Sequence, residues 1–145
     1  MSLVSYFAYG SNLDADQMRE RCPSSRPLER ARLDDHRLDF THWSRRWQGG
    51  AADVVREPGA IVWGVVYRLY VDDLERLDRF EGGYARIQVC VEGASGNRHE
   101  AVSYSVRERA SHAPCEPYLA RMLDWGERWG LPESYLEGLR RRTPR

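Results

Sequence analysis

The sequence contains no lysine; all 22 of its positive side chains are arginine. That absence excludes each mechanism built on a lysine amine: a Schiff base, lysine-linked pyridoxal phosphate, the phosphate-gripping lysine of P-loops and the kinase lysine. Cysteine is scarce. Cys22, Cys90 and Cys115 are far apart and form no CxxC pair, so a zinc ribbon, a dithiol redox site and a disulfide framework have no support. A reduced, cytoplasmic setting is the expectation. Long hydrophobic runs are missing too. The longest near-apolar stretch, Gly59 to Tyr67, is far shorter than the ~20 residues a membrane helix needs. The first residues lack the basic segment and apolar run of a secretory signal. Net charge is also absent, since 22 acidic side chains cancel the 22 arginines. Nucleic-acid affinity rests on many phosphate contacts, so no nucleic-acid and no membrane partner is expected.

What is present suits a soluble globular protein. The chain has 145 residues, 41% apolar and 11% aromatic, which is enough for one domain around one core. That domain is expected to span residues 1–139. The Arg-rich segment 140–145 has too little apolar surface to dock and is expected to be an unstructured tail.

Leu3 to Tyr9 is β-branched and aromatic, so it reads as a strand ending at Gly10. Leu13 to Cys22 reads as a short helix, with Ser11, Asn12 or Asp14 as its cap. Arg30 to Trp43 alternates weakly and Ala51 to Val55 is extended. Pro58-Gly59 signals a turn. Ala60 to Leu69 is apolar throughout, which predicts a strand buried on both faces. Val71 to Phe80 reads as a helix, with Asp72 and Asp73 at its dipole-favoured start. Strands follow over Ala85–Val91 and Arg98–Val106, joined by a turn at Gly93–Asn97. Pro117 opens a helix striped by Tyr118, Met122, Trp125 and Trp129. Gly130 ends it, and Pro132 starts another helix. The order predicts a mixed α+β domain on a compact, curved sheet, not a doubly wound nucleotide fold.

Two segments stand out chemically. Gly10-Ser11-Asn12 lies between a strand and a helix, where backbone N–H groups and a helix start favour a carboxylate or oxyanion; an ordinary turn is the competing reading. Glu81 follows a helix, between Phe80 and Gly82-Gly83-Tyr84. A carboxylate among aromatics has a raised pKa, which suits proton transfer near neutral pH. A solvated acid at a helix end is the alternative. His36, His42, His99 and His112 share no metal-ligand spacing, so no metal is expected.

Tyr6-Phe7-Ala8-Tyr9-Gly10-Ser11-Asn12-Leu13 resembles the N-terminal signature of the gamma-glutamylcyclotransferase-like superfamily. The resemblance continues through Pro58 to Tyr67, through Leu77-Asp78-Arg79-Phe80-Glu81-Gly82 with Tyr84, and through Tyr118 to Tyr135. It implies an α/β (mixed α+β) domain with a barrel-like sheet around a cavity, no metal and no cofactor. It also implies a small-molecule gamma-glutamyl substrate, cyclised to 5-oxoproline with release of the attached amine. The resemblance makes Glu81 the catalytic proton shuttle. It places Tyr6, Phe7, Ala8, Tyr9, Gly10, Ser11, Asn12, Tyr84 and Tyr118 at the substrate. Thr41 to Gly50 matches no segment of the family, and the leaving amine and the oligomeric state are not read from these residues. The rival readings are a non-catalytic small-molecule-binding member of the same fold and an Arg-rich interaction protein.

Overall fold

The computed structural model describes residues 2–144. Five strands close into a barrel in the order β1-β3-β2-β4-β5. They are β1 (Leu3–Ala8), β2 (Arg26–Ser44), β3 (Gly49–Tyr70), β4 (Tyr84–Gly93) and β5 (Arg98–Val106). All pairs are antiparallel except the closing contact between β1 and β5, where Tyr6 meets Val102 in parallel. Helix α1 (Ala15–Arg21) follows β1 after a single 3-10 turn, α2 (Val71–Phe80) links β3 to β4, and α3 (Glu116–Trp129) and α4 (Glu133–Arg140) follow the last strand.

β2 and β3 form one long hairpin, paired from Arg26–Arg68 out to Ser44–Gly49. The Pro58-Gly59 turn signal does not end a strand. Its residues bulge out of β3 opposite Asp35, and the register slips between Asp34 and His36. Gly59 takes φ +85° there and its N–H donates to Asp35 Oδ1 at 2.9 Å. A long antiparallel partner keeps both halves of the strand in one sheet, which local turn chemistry cannot report.

The buried apolar residues form two clusters rather than one core. β1 feeds both, because alternate side chains of a strand point to opposite faces. Phe7 joins Phe40, Val54, Val62, Met122 and Leu136. Ala8 joins Leu13, Met18, Val65, Leu74 and Leu77. Trp129 packs against both clusters. From Val62 to Leu69, β3 likewise divides its side chains between them: Val62 and Val66 go to the first, Val65, Tyr67 and Leu69 to the second.

The C-terminal segment differs from the expected loose tail. Arg140 is the last residue of α4 and pairs with Glu127, Glu133 and Glu137. Arg142 docks on β2, where its NH2 donates to the Leu38 carbonyl at 2.7 Å and its guanidinium lies over the Phe40 ring. Charge and cation–π contact substitute for the missing apolar surface. Arg145 lies outside the described residues.

Candidate active site

The end of β1, the 3-10 turn, the start of β4 and the N-terminus of α3 converge on one half-open cavity. Tyr6, Tyr9, Gly10, Ser11 and Asn12 form one wall. Glu81, Tyr84 and Tyr118 face them from three other elements. These residues span most of the chain, and only barrel closure brings them together.

Asn12 is the hub. It is buried, and its side-chain amide and backbone carbonyl are both hydrogen-bonded. Its backbone carbonyl accepts from the Tyr67 hydroxyl at 3.0 Å. Its Oδ1 accepts from Gln17 Nε2 at 2.9 Å and from Arg21 NH1 at 3.1 Å. Its Nδ2 donates to the Tyr6 hydroxyl at 2.9 Å and to Glu81 Oε1 at 3.3 Å. Two donors arriving at Oδ1 fix which end of the amide faces Glu81.

Glu81 sits just past α2, whose last helical residue is Phe80. Burial lifts its carboxyl from 4.5 to about 7. The nearby Arg21 charge and the Asn12 hydrogen bond work against that rise, while the Asp78 charge adds to it. Desolvation dominates because the carboxyl has tyrosine rings where water would otherwise solvate the charge. A carboxyl near 7 accepts and returns a proton with little free-energy cost at neutral pH.

Five tyrosines line the cavity, and burial raises the pKa of each. All therefore stay protonated at neutral pH, and their hydroxyl protons can be accounted for one by one. Tyr9 donates to the Tyr104 carbonyl at 2.6 Å, Tyr84 to the Ala52 carbonyl at 2.6 Å and Tyr104 to Asp78 Oδ1 at 2.6 Å. Tyr6 and Tyr118 instead accept, from Asn12 Nδ2 and from the Ala52 N–H at 2.9 Å. Accepting there leaves their own protons available to a ligand.

Gly10 matters through space. A Cβ there would sit 3.1 Å from the Tyr118 hydroxyl and 3.2 Å from Ala52 Cβ. Glycine thus lets the Tyr118 hydroxyl reach the turn. Of the three expected caps Asp14 is the one used, and the helix starts later than Leu13. Ser11–Leu13 is one 3-10 turn, and α1 begins at Ala15, where Asp14 accepts from the Asp16 and Gln17 N–H groups. The first turn of α1 is therefore capped by Asp14.

Phe7 and Ala8 do not line the cavity. Both are fully buried, one in each apolar cluster. A wall position belongs to Tyr6 and Tyr9, and a contiguous motif hides that distinction. The cavity also includes residues that sequence reasoning passed over: Arg21 on α1, Arg46 and Trp47 on the β2–β3 hairpin, Ala51, Ala52, Phe80 and Tyr104. Arg46 and Trp47 sit within Thr41 to Gly50, the stretch expected to match no family segment; their signal was a cation beside an aromatic in a Gly-bounded turn. Cys22 is buried and its thiol is pushed up to about 12, so it is not a nucleophile at neutral pH. Cys90 is exposed on β4. The histidines have other partners: His99 pairs with Glu29, His36 bonds the Asp34 carbonyl, His42 meets the Tyr84 ring and His112 the Trp43 ring.

The model of the AIG2-like family matches residues 61–139 of this chain, a span that holds β4, β5 and the Glu81 carboxylate. Gamma-glutamylcyclotransferase of Mus musculus is 35% identical over 147 residues, covering 96% of this chain and 78% of its own. The Homo sapiens gamma-glutamylcyclotransferase gives the same identity and coverage. A solved structure of a gamma-glutamyl cyclotransferase superposes with a TM-score of 0.93 at 34% identity, covering 99% of this chain and 90% of that one. The chain belongs to the gamma-glutamylcyclotransferase family.

Proposed function

We propose that the protein cyclises gamma-glutamyl compounds to 5-oxoproline and releases the attached amine, with Glu81 as the proton shuttle. The observation that carries this reading is the Glu81 carboxyl, held near 7 against the Tyr6-Asn12 wall. The reaction needs no protein nucleophile. The substrate's own α-amine attacks its γ-carbonyl carbon, and folding the substrate for ring closure is worth roughly 7–11 kcal/mol in favourable cases. The Glu81 carboxylate takes a proton from the attacking nitrogen as the new C–N bond forms. It then returns that proton to the leaving nitrogen as the old C–N bond breaks. Charge that develops on the carbonyl oxygen in between needs donors, and the unused Tyr6 and Tyr118 protons with the Gly10-Ser11 backbone supply candidates. Tyr9, Asn12 and Tyr84 shape the wall and fix these donors.

The reading assigns the work to one unit over residues 1–139, with a small-molecule substrate, no cofactor and no nucleic-acid or membrane partner. A cytoplasmic location is part of it and agrees with three unpaired thiols. No helix among the described residues is long and apolar enough to cross a membrane. The test is release of free 5-oxoproline from a panel of gamma-glutamyl compounds. A protein that binds the panel without releasing 5-oxoproline is the non-catalytic member of the fold.

A further inference from the structure

Asp78 stands in the last turn of α2, where the helix dipole opposes a negative charge. Two partners offset that. Arg86 on β4 grips it bidentately, with Nε donating to Oδ1 at 2.9 Å and NH2 to Oδ2 at 2.6 Å. The Tyr104 hydroxyl on β5 donates to Oδ1 at 2.6 Å. Arg86 and Tyr104 are direct partners across the β4–β5 ladder, so both reach the same side of the sheet. Two strands thus clamp one carboxylate.

The clamp acts on Glu81 through the backbone. The Glu81 N–H donates to the Asp78 carbonyl at 3.1 Å, and the Glu81 carbonyl accepts from the Tyr84 N–H at 3.0 Å. Asp78 therefore ties the end of α2 to the barrel just before Glu81. Neither Asp78 nor Arg86 lines the cavity. Tyr104 does, and its carbonyl accepts from the Tyr9 hydroxyl at 2.6 Å. One strand residue joins the clamp to the cavity wall.

We propose that Asp78 is a positioning residue for the cyclisation, fixing the Glu81 carboxylate against the Tyr6-Asn12 wall through its clamp on β4 and β5. This rests on the reading of Glu81 as the shuttle and deepens it. The role has an electrostatic side. The Asp78 charge disfavours a second negative charge at Glu81, and the Arg86 guanidinium offsets part of it. Asp78 stays ionised where Glu81 titrates, because the Arg86 hydrogen bonds hold its carboxyl below the ordinary 3.8. Of the other groups facing Glu81, Arg21 on α1 and Arg46 on the β2–β3 hairpin keep their charge. The cavity tyrosines and the Cys22 thiol stay neutral.

Opposite charge changes on the two sides of the clamp test this, read as 5-oxoproline release from gamma-glutamyl-alanine. Asp78→Asn keeps the shape and removes the negative charge, so the acid limb of kcat/KM should move to lower pH. Arg86→Gln removes the balancing positive charge, so the limb should move to higher pH. Each displacement should be roughly 0.5–1 pH unit, below the ~1–3 of charges in contact. Asp78→Asn also sets donor against donor at Arg86, which loosens the end of α2. Its plateau kcat should fall roughly 3–10-fold, less than the ~10²-fold cost of a 1 Å misplacement, with KM nearly unchanged because Asp78 lies outside the cavity. A merely structural role would lower the thermal midpoint and leave the limb in place. Arg86→Gln, at a half-exposed ion pair, keeps the test readable should Asp78→Asn unfold. A limb that stays put in Arg86→Gln, or moves the same way in both variants, overturns the role of Asp78 and leaves the shuttle intact. A wild-type profile without an acid limb, or no 5-oxoproline at all, overturns both.

Discussion

Asn12 holds Glu81 from across the cavity: its Nδ2 donates to Glu81 Oε1 at 3.3 Å, over a sequence separation of 69 residues. The same NH2 group donates to Tyr6 at 2.9 Å. The Glu81 carboxyl and one free hydroxyl donor are thus positioned by a single amide. That amide is oriented by Gln17 and Arg21 behind it.

Removing the shuttle should stop catalysis without unfolding the protein. Glu81→Gln is nearly isosteric and cannot take a proton from the attacking amine, so 5-oxoproline release should fall at least ~10²-fold. Glu81→Asp should also be slow, because a displacement of about 1 Å can cost ~10²-fold. Wild-type rates in Glu81→Gln would place the base elsewhere in the cavity.

The raised Glu81 carboxyl links pH to stability and to activity with opposite signs. Between its ordinary 4.5 and about 7, the folded protein holds a proton that the unfolded chain has released. Its contribution to stability therefore falls as pH rises through that window. Unliganded wild type should lose thermal stability relative to Glu81→Gln from about pH 5 to about pH 7, since the glutamine cannot ionise. Activity needs the carboxylate, so kcat/KM should rise with pH and level off above about 7. A stability difference that is flat with pH would show that Glu81 is solvated as an ordinary acid.

Asn12→Ala should act on both quantities. It strands buried donors of Gln17 and Arg21, which should cost about 1–3 kcal/mol in urea unfolding. It also removes a hydrogen bond that favours the Glu81 carboxylate, so the acid limb of the kcat/KM profile should move to higher pH. A purely structural role would lower stability and leave the limb in place.

Gly10 and Tyr118 should be energetically coupled. Gly10→Ala pushes a methyl group against the Tyr118 hydroxyl and Ala52. Tyr118→Phe removes that hydroxyl and strands the Ala52 N–H, at a cost of about 1–3 kcal/mol. With the hydroxyl gone, Gly10→Ala should be less harmful than in the wild type. A double-mutant cycle in thermal or urea unfolding measures the difference, and strict additivity would show that the two groups do not touch.

Asp53 tests the barrel apart from the chemistry. It is wholly buried between Thr41 Oγ1 at 2.8 Å, the Val106 N–H at 3.0 Å and Arg109 Nε at 2.6 Å. Asp53→Ala should destabilise by about 3 kcal/mol, the low end for breaking a buried pair because Arg109 is partly in water. Equilibrium unfolding in urea reads it.

Much of this protein is written locally. The strand at Leu3, the helix over Val71–Phe80, the Gly93–Asn97 turn and the α3–α4 pair follow from side-chain periodicity and from turn and cap residues, which act within a few neighbours. The Gly10-Ser11-Asn12 turn and Glu81 could be singled out from the sequence because a glycine between a strand and a helix, and an acid among aromatics, are local features. Tertiary structure decided the rest. The face that each residue of β1 presents depends on what packs against it, so Tyr6 and Tyr9 reach the cavity while Phe7 and Ala8 fill the interior. Pro58-Gly59 became a bulge because a 19-residue partner strand held both sides of it. Arg21 and Tyr104 carry no local mark of a site, and Arg46 with Trp47 only that of a cation beside an aromatic. They became its rim when the barrel closed and brought α1, the β2–β3 hairpin and β5 to one mouth, a consequence of contacts between residues far apart in the chain that no short window of sequence contains.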